Sequence, residues 1–182
     1  MRLTLRILSL LLVLSVTGTA LGASQRKVPA YEKYIKQYSS LAIQHQKKYR
    51  IPASITLAQG LLESGAGRSE LARKSNNHFG IKCHSDWRGG RVYHDDDLRG
   101  ECFRKYKNPE QSYEDHARFL VDRPRYASLF KLKITDYKGW ARGLQKCGYA
   151  TDRAYANRLI KLIEDYDLYR YCLLYTSPSP RD

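Results

Sequence analysis

The helical period of apolar residues that organises most of this chain fails between residues 76 and 107. There Gly80, Gly89, Gly90 and Gly100 punctuate short runs, among them Arg91-Val92-Tyr93-His94 and Glu101-Cys102-Phe103-Arg104-Lys105-Tyr106. Alternation in the second run signals strands, so this stretch reads as a small antiparallel hairpin set into a helical chain. Before it, Tyr31, Tyr34, Ile35, Tyr38, Leu41, Ala42, His45 and Tyr49 recur at helical spacing. Pro52 suits the first residue of a second helix, whose buried face is Ile55, Ala58, Leu61 and Leu62. Glu63-Ser64-Gly65-Ala66-Gly67 ends it with glycines that favour a C-terminal cap. Residues 69–74 allow one or two further turns.

After the hairpin, Asn108-Pro109 supplies a cap and a first-turn proline for a helix through Tyr113, His116, Ala117, Phe119 and Leu120. Thr135 is expected to cap a helix through Tyr137, Trp140, Ala141 and Leu144. Thr151 is expected to cap the last one, with the stripe Tyr155, Leu159, Leu162, Ile163 and Tyr166. The expected fold class is α+β, mostly helical with one small antiparallel β-hairpin lobe.

Both chain ends fall outside that pattern. Residues 1–22 carry Arg2 and Arg6, an apolar run of about ten residues and then small residues, the pattern of a secretory signal peptide. The run is well short of the roughly 20 residues a spanning helix needs; a retained N-terminal anchor is the alternative. Residues 172–182 continue no helical pattern and resemble a translated sequencing-library adapter. A non-native tail is expected there, with a natural Pro/Ser tail as the alternative. Residues 23–171 then form one domain of an exported protein, periplasmic or extracellular, with no stable membrane insertion.

The 182 residues carry a net charge of +14, which favours an anionic polymer as partner. Lys and Arg are scattered, with no run of five or six, so a generally basic surface is expected and no nucleic acid. Cys83 and Cys102 flank a Gly- and Asp-rich stretch, as a bridge closing a hairpin would; two buried free thiols are the alternative. No zinc spacing occurs, and neither a metal nor a cofactor is expected. Serine-nucleophile elbows, phosphate loops and dinucleotide fingerprints are all missing from the sequence.

Glu63 is the most informative position. A carboxyl at the end of an apolar helix meets the negative end of the helix dipole and partial burial, and both raise its pKa. That suits a general acid; a solvated Glu at a helix end is the bland reading. Asp95, Asp96 and Asp97 form an acidic run in the hairpin, from which one could activate water; the alternative is a solvated turn. Of the fifteen tyrosines, Tyr34, Tyr38, Tyr155 and Tyr166 are expected in the core. Trp87, Tyr93, Tyr106 and Tyr149 are the better candidates for stacking on sugar rings.

Ala58-Gln59-Gly60-Leu61-Leu62-Glu63-Ser64-Gly65-Ala66-Gly67, then Ser75-Asn76-Asn77-His78-Phe79-Gly80-Ile81-Lys82, resembles the glucosaminidase domain of glycoside hydrolase family 73. Phe103-Arg104-Lys105-Tyr106 and Gly148-Tyr149-Ala150-Thr151-Asp152 with Tyr155-Ala156 extend the resemblance. It implies a lysozyme-like fold and cleavage of peptidoglycan glycan strands after N-acetylglucosamine. Carried over by position, Glu63 matches the general acid and Asp96 the second carboxylate, where the family has Glu. Phe79, Tyr106, Tyr149 and Asn77 match substrate-binding positions, and a monomer is expected. A lytic transglycosylase on the same polymer, a non-catalytic cell-wall module and a glycoprotein endoglycosidase are the alternatives.

Overall fold

A computed structural model describes residues 27–174, apart from Asp86 and Asp97. The expected leader lies outside the described residues, as does the chain beyond residue 174. Helix α1 (Pro29–Tyr49) ends at Arg50 in the left-handed conformation. Helix α2 (Ala53–Ser64) follows with Pro52 as its N-cap, one residue earlier in the helix frame than expected. Every residue from Ala53 to Leu61 in α2 is buried. A helix apolar all round belongs at the centre of a domain, and α2 packs against α1, α5, α6 and α7. Gly60 permits the close approach to α1: a Cβ there would lie 2.5 Å from Tyr34 Oη.

Helix α3 (Glu70–Ser75) starts where Ser69 accepts a hydrogen bond from Ala72 N. The hairpin comprises β1 (Gly90–His94) and β2 (Glu101–Lys105), antiparallel, with Val92 opposite Phe103 and His94 opposite Glu101. An isolated bridge from Lys82 to Phe103 adds a third partner. Helix α4 (Pro109–Val121) is capped by Asn108, whose side chain accepts from Gln111 N. A 3-10 helix over Pro124–Lys131, which the apolar pattern does not foretell, leads to α5 (Tyr137–Lys146).

Asp136, not Thr135, caps α5, because its carboxylate accepts from Gly139 N. Helix α6 (Tyr155–Asp165) has Ala154 at its cap and no side-chain cap bond, so Thr151 does not serve there. Asp152 Oδ1 instead accepts from Ala154 N at 2.8 Å. The boundary drawn at residue 171 falls inside the single turn of α7 (Arg170–Leu173). Cys172 is 1% exposed; its Sγ donates to Ser54 Oγ at 3.2 Å and its carbonyl accepts from Gln46 Nε2. One turn is too short to show a helical period, so the sequence pattern misses it. No described helix is long and apolar enough to cross a membrane. The architecture is the lysozyme-like α+β class: a helical body with one small hairpin lobe.

Candidate active site

Glu63 occupies the last turn of α2, and the local chemistry of that helix end determines where its carboxyl points. Gly65, Ala66 and Gly67 all have positive φ, which ends the helix abruptly. Ser64 is buried beneath this turn, donating to Gly60 O at 2.5 Å and accepting from Gly67 N at 2.7 Å. A groove of about 640 Å³ opens beside it. Glu63, His94, Asp96, Tyr149, Tyr155 and Arg158 are among the residues that line it.

Burial raises the Glu63 carboxyl from its ordinary 4.5 to about 7; the Tyr155 hydrogen bond opposes this and the nearby Asp96 charge adds to it. Tyr155 Oη donates to Glu63 Oε1 at 2.8 Å and accepts from Gln59 Nε2 at 3.0 Å. Burial and the Glu63 charge in turn push the Tyr155 hydroxyl well above its usual range. Near neutral pH, Glu63 can therefore hold a proton that an exposed glutamate would have lost. The sequence reading of Tyr155 as core holds for its ring, which is 3% exposed, but misses the contact of its hydroxyl with Glu63. Tyr155-Ala156 belongs to the motif that carries the family resemblance, and that was the available signal.

Two of the acidic-run residues are described, and their roles differ. Asp95 Oδ1 accepts from Gly100 N at 2.7 Å and so shapes the turn. Asp96 lines the groove, its side chain 54% exposed, with Lys82 Nζ 3.4 Å from Oδ2. Asp97 lies outside the described residues. The strand alternation that puts Val92, His94 and Phe103 toward the body leaves Tyr93 exposed on the outer face. His94 enters the groove wall for the same reason, without any sequence signal that singled it out.

Phe79 and Tyr149 both line the groove. Phe79 is backed by His116, ring centroids 4.0 Å apart, and Tyr149 stacks on Tyr155 at 5.7 Å. Asn77 and Tyr106 are not among the groove-lining residues. Asn77 is 1% exposed: its Nδ2 donates to Ile81 O and Arg104 O, and its Oδ1 accepts from Ile81 N, tying the 77–81 turn to β2. Tyr106 donates to Asp115 Oδ2 and its ring meets Trp87 at 5.7 Å. Cys83 and Cys102 are joined, with Cα atoms 5.3 Å apart and Cys83 N donating to Cys102 O at 2.7 Å. Among the described residues no group of three His, Cys, Asp or Glu side chains could hold a metal ion.

Fold and site together define a lysozyme-like domain built around a buried carboxyl at the edge of a groove. The chain belongs to the glucosaminidase family described as mannosyl-glycoprotein endo-beta-N-acetylglucosaminidase, whose sequence profile matches residues 39–168. It is 38% identical over 139 residues to the exo-glucosaminidase LytG of Bacillus subtilis (strain 168), covering 69% of this chain and 48% of that protein. It is 32% identical over 147 residues to the peptidoglycan hydrolase FlgJ of Vibrio parahaemolyticus, covering 75% of this chain and 47% of that one. The chain thus spans about half the length of these curated relatives. A crystal structure of a peptidoglycan hydrolase from Sphingomonas sp. A1 superposes with a TM-score of 0.67 at 33% identity, over 83% of this chain and 98% of that one.

Proposed function

We propose that the protein is a peptidoglycan hydrolase that cleaves the β-1,4 bond between N-acetylglucosamine and N-acetylmuramic acid. The observation that carries this reading is the Glu63 carboxyl, raised to about 7 in the wall of an open groove. Glu63 gives its proton to the glycosidic oxygen as the bond to the N-acetylglucosamine anomeric carbon breaks. Water then bonds to that carbon, and Asp96 accepts the water proton from across the groove. Asp96, exposed and paired with Lys82 where Glu63 is buried, has the contrasting environment that separates base from acid. Tyr149 and Phe79 offer apolar faces to the sugar rings. The relatives, named as peptidoglycan hydrolase and glucosaminidase, support the substrate class. Action on peptidoglycan places the protein in the cell envelope or outside the cell, in keeping with an exported chain.

Digestion of purified peptidoglycan, with mass spectrometry of the muropeptides, tests the reading. Reducing N-acetylglucosamine ends are expected, whereas anhydro-muramic ends would assign a lytic transglycosylase instead. Glu63→Gln should lower turnover by roughly 10²–10⁴-fold, the usual contribution of a general acid. Asp96→Asn should also cause a large loss and Asp95→Asn a mild one. Equal, small losses at both aspartates would leave Glu63 acting with the substrate's own 2-acetamido group.

A further inference from the structure

Gln59 lies four residues before Glu63 on α2, on the same helical face. It is fully buried, and nothing about packing alone calls for an amide there. Its Nε2 donates to Tyr155 Oη at 3.0 Å, and Tyr155 Oη is 2.8 Å from Glu63 Oε1. An amide nitrogen only donates, and a phenol has a single proton. The phenol therefore accepts from Gln59 and commits its one proton to Glu63. The opposite amide orientation would bury both N–H donors without an acceptor. The orientation observed pairs one of those N–H groups and leaves Gln59 Oε1 without a partner among the described residues, and under-satisfied carbonyls are commoner than orphaned N–H groups.

We propose that Gln59 is a positioning residue acting through Tyr155. By making the Tyr155 hydroxyl a donor to Glu63 Oε1, it leaves the transferable proton on Oε2, the oxygen with no hydrogen-bond partner among the described residues. Without that donor, the phenol could accept from Glu63, and the acid proton would sit on Oε1, turned away from the leaving oxygen. The inference rests on Glu63 being the general acid, but its test does not require substrate. The other titratable or charged groups that line the groove with Glu63 are His94 and Asp96 from the hairpin, Tyr149 and Asp152 from the loop before α6, and Arg158 on α6. All are retained in the variants below, so their influence cancels.

The experiment is an NMR titration of the Glu63 carboxyl carbon in protein labelled at glutamate, the resonance assigned through Glu63→Gln. Tyr155→Phe should move the midpoint up by about one unit, the scale of one hydrogen bond to a charged group. Gln59→Met should move it in the same direction by less, and should have no further effect when added to Tyr155→Phe. On peptidoglycan, Gln59→Met should lower kcat about tenfold, below the roughly 10²-fold cost of losing the acid itself, with KM unchanged. A downward shift in Tyr155→Phe would mean the phenol accepts from Glu63 and would overturn the proposal. An unmoved midpoint in Gln59→Met, or an additive effect in the double variant, would reduce Gln59 to packing and overturn it too. Should Gln59→Met fail to fold, the direction of the Tyr155→Phe shift decides alone. If titrations follow expectation while peptidoglycan stays intact, the relay stands and the substrate reading falls.

Discussion

Glu63 sits under opposing influences: burial favours its neutral form, and the Tyr155 hydroxyl favours its charged one. Burial wins, and the consequence reaches beyond chemistry to stability. The folded value, about 7, lies above the ordinary 4.5 of an unfolded glutamate. The folded state therefore holds a proton that the unfolded chain releases as pH rises. Stability is fully present below pH 4.5 and is lost through pH 7, by about 3 kcal/mol in total. Glutamine stays neutral throughout and still accepts from Tyr155. Glu63→Gln should accordingly be more stable than the unsubstituted protein at pH 8 and nearly equal to it at pH 4. Urea unfolding at the two pH values checks this, and an equal difference at both would mean that no desolvated carboxyl is involved.

The hairpin is the element on which the second carboxylate depends, yet it is a two-stranded sheet, which alone is marginal in water. Its supports are the Cys83–Cys102 link, the Lys82–Phe103 bridge and packing on α3. On the chain-entropy view, a cross-link between residues 19 apart in sequence contributes about 3 kcal/mol. Thiol counting on the unfolded, unreduced chain should find two free thiols, Cys147 and Cys172; four would exclude the bridge. Reduction should depress turnover before it reduces helical circular dichroism, because the helical body does not contain the link. Helix starts illustrate the limits of reading elements from sequence. Asn108-Pro109 identified the α4 start because cap and proline are adjacent. At α5 two neighbouring residues could cap, and only the carboxylate reach of Asp136 to Gly139 N decides between them.

Across the whole molecule, two buried histidines oppose Glu63 in pH dependence. Burial lowers His116 from 6.5 to about 3 and His78 from 6.5 to about 4. Both bind protons far more readily when unfolded, so their contribution is present above pH 6.5 and declines as pH falls toward the folded values. Each costs about 1.4 kcal/mol per pH unit across that window. Neither ring nitrogen of His116 has a hydrogen-bond partner among the described residues, and the ring stacks on Phe79. His116→Phe should therefore keep the stack and flatten the acid side of the stability curve, as thermal melting from pH 7 to 4.5 would record; an unchanged slope would show that His116 is not held neutral. Periodicity and the failed period at residues 76–107 were enough to determine the longer helical segments, the hairpin and the isolation of Glu63 at a helix end. Those signals act within a turn or two of chain, where neighbours in sequence are neighbours in space. Packing alone decided that Tyr155, 92 residues beyond Glu63, donates to it, that Asp96 rather than Asp95 lines the groove, and that Asn77 bonds to Ile81 and Arg104 while Tyr106 bonds to Asp115. Contacts across such separations come from the burial of whole helices against one another, which no local pattern encodes.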